Sequence, residues 1–70
     1  MKYAEIVRDG VYVGRDGTKR KVIRVATKFL PKDYTPTRET EKGVKFLDVG
    51  TQETARATLR DFARWAVERA

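Results

Sequence analysis

Residues 11–29 read VYVGRDGTKRKVIRVATKF, and the fold turns on how this stretch is parsed. Val11-Tyr12-Val13 is β-branched and aromatic, the composition of a short strand. Arg15-Asp16-Gly17-Thr18 follows, and an Asp-Gly pair between such runs is the strongest short-range hairpin signal. Arg20 to Phe29 is then the longest strand candidate. Read at period two, Ile23, Val25, Thr27 and Phe29 face a core. Arg20, Arg24 and Lys28 face away, with Val22 and Ala26 between them. Three cations would thus form a stripe with steps of about 13 Å, at ~3.3 Å per residue. Arg15 and Lys19 extend it into the hairpin tip, and Lys32 extends it past the other end.

Charge concentrates in the same place. The 70-residue chain carries 16 basic and 10 acidic residues, a formal net charge of +6. Between Arg15 and Lys32 stand seven basic residues against one acid, Asp16, while the rest of the chain balances nine with nine. A merely solvated face usually mixes signs, as the remainder does. The stripe suits contact with a phosphate backbone, where each residue positions the polymer and carries no base information. It equally suits the wet face of an antiparallel strand, kept from edge pairing by lysine and arginine.

Outward from this hairpin the remaining elements are shorter. Residues 2–8 are rich in strand formers and end in the turn Arg8-Asp9-Gly10. From Leu30 to Lys42 the pattern dissolves into two prolines, several threonines and alternating charge, which reads as a long polar loop (about 31–43). In that loop Tyr34 is the aromatic most expected to be exposed. Val44 to Val49 is another strand. Residues 52–69 allow two readings. One is a single helix capped by Thr51. The other is a short strand, Thr54 to Thr58, followed by a helix over about 59–69. That helix would be capped by Thr58, with Asp61 as partner in a variant capping box. In both, Leu59, Phe62, Ala63, Ala66 and Ala70 recur at helical spacing and define a buried stripe. Trp65 lies at its border, within reach of Arg69. As a core residue it packs over the sheet, and as a functional one it offers an exposed aromatic contact.

With 40% hydrophobic and 37% charged residues, the composition fits one small soluble domain spanning residues 1–70. Cysteine and histidine are both absent, which removes disulfides, thiolate metal sites and the commonest general base. Gly10, Gly14 and Gly17 punctuate hairpins and lack the helix a phosphate loop requires. The ten carboxylates fall beside turns, in the loop or on outward faces. These features point to a non-enzymatic protein with no cofactor and no metal. No apolar run approaches the ~20 residues of a membrane span. The simplest expectation is a cytoplasmic protein.

Gly10-x-Tyr12, then Gly17 with Arg20-x-Val22, a strand near Val44-Lys45-Phe46 and a terminal Phe62-Ala63-Arg64-Trp65-Ala66 form a recurring pattern. It resembles a loose set of short, uncharacterised bacteriophage and prophage proteins. The resemblance implies a bacterial host cell and a small curled sheet closed by a C-terminal helix, with an SH3-like form one option. It also favours the strand reading of Thr54–Thr58.

The expected architecture is therefore α+β, four to five short antiparallel strands with a C-terminal helix. The expected partner is nucleic acid, or else an acidic protein surface, met by Arg15, Lys19, Arg20, Arg24, Lys28 and Lys32. Tyr34 and Trp65 are the candidate aromatic contacts. A monomer or a weak homo-oligomer fits a domain of this size.

Overall fold

The computed structural model describes residues 1–38 and 40–70. Its core is a five-stranded antiparallel sheet: β1 (Val11–Gly14), β2 (Lys19–Ala26), β3 (Gly43–Asp48), β4 (Thr54–Thr58) and β5 (Ala66–Arg69). One helix, α1 (Leu59–Trp65), joins β4 to β5. Strand order is β4-β3-β2-β1-β5, so the first four strands form a meander and the last returns to pair with the first. The expected class, a small α+β domain with a helix near the C-terminus, is what the chain adopts.

The β1–β2 hairpin forms where the Asp-Gly pair places it. Asp16 accepts hydrogen bonds at one carboxylate oxygen from the Thr18 amide (3.1 Å) and hydroxyl (2.6 Å). Those bonds hold its carboxyl below the usual carboxylate range, the Thr18 hydroxyl contributing most. The Gly14 amide donates to the Thr18 carbonyl at 3.0 Å and closes the hairpin.

In β2 the period-two reading fails at one point. Val22 pairs with Phe46 and Val25 with Val44, so three steps along β2 match two along β3. The extra residue is a β-bulge at Ile23, which resets the alternation. Val22 is fully buried, Val25 packs against the core, and Ile23 stands 36% exposed instead of facing inward. Arg20, two residues before Val22, lies on the core side, opposite Tyr12 and Asp48. Thr27–Phe29 leaves the strand as a 3-10 turn that carries Lys28 and Phe29 with it.

The core gathers Ile6, Tyr12, Val22, Val44, Phe46, Phe62, Ala63 and Ala66. Phe62 is its hub, edge-on to Tyr12 with centroids 5.8 Å apart, and tilted against Phe46 and Trp65 at 5.5 and 5.3 Å. Such pairs add to simple area burial. The segment before β1 is a 3-10 turn, Tyr3–Glu5, in place of the expected strand. Buried Tyr12 holds it down: its hydroxyl donates to the Glu5 carbonyl (2.5 Å) and accepts from the Val7 amide (2.9 Å).

The strand reading of residues 54–58 holds, and Thr58 caps α1 by accepting from the Asp61 amide at 3.0 Å. The helix is shorter than about 59–69, because residues 66–69 pair with the otherwise open edge of β1. An unpaired edge is a liability, and four residues of strand satisfy its backbone groups better than another helical turn would. Phe62, Ala63 and Ala66 are buried as the stripe implies, Leu59 is half-buried, and Ala70 is exposed.

Candidate nucleic-acid interface

Register decides which cations share a face. On the side of the sheet away from the core, Arg24 of β2 stands opposite Lys45 of β3. Lys45 in turn stands opposite Arg56 of β4. Directly opposed residues on neighbouring strands have Cβ atoms about 5 Å apart, and like charges placed so repel. Lys21, opposite Leu47, and Lys19, opposite Val13, lie further along the same side. Among the described strand residues, the one carboxylate the register puts on this side is Glu68, opposite Val13 at the β5 edge. A row of three cations crosses three strands without a countercharge in the ladder.

Phe29 lies within this field. Its ring centre is 5.2 Å from Lys28 Nζ, 5.5 Å from the Arg56 guanidinium and 5.9 Å from Lys45 Nζ. Gly43 makes the placement possible. A Cβ there would fall 2.2 Å from the Phe29 carbonyl group and the Leu30 nitrogen, so the 3-10 turn packs its backbone directly onto β3. Glycine at 43 is thus a space requirement.

The residues singled out from sequence do not form one line. Arg24 and Lys28 are exposed on the basic face, and Lys19 sits at its edge. Arg15 is in the hairpin tip, where with Asp16, Arg64 and Trp65 it lines a shallow recess of about 440 Å³. Lys32 is exposed in the turn after Pro31. Arg20 departs furthest from the stripe. Its guanidinium is layered between Trp65, 4.1 Å from the ring centre, and Phe46, 4.6 Å away. Its Nε is buried without a hydrogen-bond partner. Burial pushes the guanidinium's pKa down, while Asp48 and Asp16 oppose the shift. An arginine so placed is a packing element.

The two candidate aromatic contacts are also engaged. Trp65 is half-buried, stacked on Arg20 and pressed against Gly14, where a Cβ would come within 2.3 Å of the indole nitrogen. Arg69 lies over Tyr12 (5.9 Å) rather than over the indole. Tyr34 is half-buried, and its hydroxyl donates to Glu41 at 2.5 Å. The Glu41 carboxylate also accepts from the Thr37 amide at 2.6 Å and the Arg38 amide at 3.3 Å. These bonds, the Tyr34 hydroxyl's first, hold Glu41 below its ordinary pKa, and the bond to Glu41 is the main cause that raises the pKa of Tyr34. The polar loop is therefore organised around one carboxylate.

Compared with protein-family models, curated proteins and solved structures, the chain has no significant match. Function must be read from the geometry. Sequence reasoning missed Lys21, Lys45, Arg56 and Phe29; strand pairing brings the three cations into the site, and the 3-10 turn packed on Gly43 brings Phe29. The available signal was the lone basic residue in each of the two later strands. Among the described residues, no group of three His, Cys, Asp or Glu side chains is arranged to hold a metal ion. No described helix is long and apolar enough to cross a membrane.

Proposed function

We propose that the chain is a small non-enzymatic binding protein, of phage or prophage type, whose basic sheet face contacts nucleic-acid phosphates. The row Arg24–Lys45–Arg56 carries this reading. Three like charges in cross-strand register cost stability, and a polyanion converts that cost into attraction. Lys19, Lys21 and Lys28 widen the patch to six cations. The phage connection rests on the resemblance carried by Gly10-x-Tyr12, Gly17 with Arg20-x-Val22, the strand near Val44-Lys45-Phe46 and, most distinctively, Phe62-Ala63-Arg64-Trp65-Ala66. The strand order, a meander whose first strand pairs with the last after a helical turn, supports an SH3-like form of the fold.

Electrophoretic retardation at low salt tests the proposal. Wild-type protein retards DNA or RNA, and a variant with Lys21, Arg24, Lys45 and Arg56 changed to Glu does not. Failure of the wild type to retard either polymer refutes it.

The same side also carries half-buried Val11, Val13 and Leu47, opposite Lys21, Lys19 and Lys21 respectively. Apolar surface among cations favours, as second reading, an acidic protein surface such as that of a host defence protein. Capture of a partner from a nuclease-treated bacterial lysate, lost in the same variant, supports this second reading.

A further inference from the structure

Of the three phenylalanines, Phe46 and Phe62 are buried in the core, and Phe29 lies outside that cluster. A small domain seldom spares an aromatic ring, since it has little apolar material with which to build its core. Phe29 is instead fixed on the opposite side, half-buried, by the close approach of its backbone to Gly43. Cations from three different elements surround the ring: Lys28, Lys45 and Arg56.

Resting on the nucleic-acid reading, we infer that Phe29 is a stacking platform and that the preferred ligand is a single strand. The cations lie over the ring in cation–π contact, and a flexible lysine that swings from the ring to a flanking phosphate leaves a π face for a base, so the site provides both parts of single-strand recognition. Every base has a π face, so the platform tolerates sequence. A duplex keeps its base faces stacked inside, and it meets the same surface through phosphates alone. The Arg56 guanidinium provides a second planar surface beside the ring. Lys45 and Arg24, next in the row, continue the charge toward β2.

Fluorescence anisotropy at low salt, with labelled oligothymidylate of about 12 nucleotides and a duplex of equal length, tests the inference. Wild-type protein binds the single strand more tightly. Phe29→Leu keeps the apolar bulk but removes the ring, and it lowers single-strand affinity roughly tenfold while duplex affinity stays within about twofold. Phe29→Tyr keeps the π face and retains binding. Equal affinity for the two probes, or equal losses with Phe29→Leu and Phe29→Tyr, overturns the platform and leaves the basic face standing. Absence of binding to both probes overturns the basic face as well.

Discussion

The Arg20 guanidinium lies 4.1 Å from the centre of the Trp65 indole, on the core side of the sheet, while Arg24 four residues later faces solvent. The bulge at Ile23 separates them into different roles. Arg20→Ala removes two cation–π contacts and the packing of the side-chain stem, and should cost about 1–3 kcal/mol in urea unfolding. Arg24→Ala should change stability by no more than about 0.5 kcal/mol. Equal effects of the two would remove the distinction.

Lys45 stands between Arg24 and Arg56, so reversing its charge should relieve repulsion on both sides. Lys45→Glu is expected to stabilise the fold by about 0.5–1 kcal/mol while weakening any polyanion binding. Parallel thermal melts and binding titrations read both signs. A variant that is less stable yet binds as well as the wild type contradicts the interpretation of the row.

Gly43 and Gly14 answer to space in different ways. In Gly43→Ala the added methyl meets backbone, and stability should fall by at least about 2 kcal/mol. In Gly14→Ala the methyl meets the Trp65 indole, which must shift outward. Tryptophan emission should move to longer wavelength in the second variant and hold its native position in the first, at temperatures where both are folded.

The polar loop should respond to acid through Glu41. Its folded pKa is depressed, so its contribution is present above the unfolded glutamate pKa and is lost as pH falls through the folded value. Tyr34 is raised, so its share is present below the ordinary tyrosine pKa and fades as pH rises through the folded value. Amide exchange at Thr37 and Arg38, which donate to Glu41, should therefore accelerate below the ordinary glutamate range relative to β1–β3 amides. In Glu41→Gln that acid response should disappear.

Local chemistry made much of this fold legible in the sequence. Asp16-Gly17 marked the first hairpin and the Phe62–Ala63–Ala66 stripe marked the buried face, whereas Thr58 was one of two helix caps the residues allowed, and the resemblance, not local propensity, favoured it. The bulge was not legible, because Val22, Ile23 and Val25 are all β-branched and apolar, and alternation alone could not choose between them. Pairing with Phe46 and Val44 made the choice. The end of α1 was hidden for a similar reason. Residues 66–69 suit a helix by propensity, and the need to cover the β1 edge arises only in three dimensions. The candidate site was legible as a basic segment but not as a surface, since Lys45 and Arg56 lie far along the chain from Arg24 and become its neighbours through register.

On the nucleic-acid reading, this acid-poor face engages a polyanion through several phosphates at once. The direct measurement is the dependence of single-strand affinity on salt, for the wild type and for Arg24→Ala, Lys45→Ala and Arg56→Ala singly. If all six cations engage, log K should fall against log salt with a slope of about −4, and each substitution should reduce that slope by somewhat less than one. A slope near zero, or one that none of the three substitutions alters, would contradict the account.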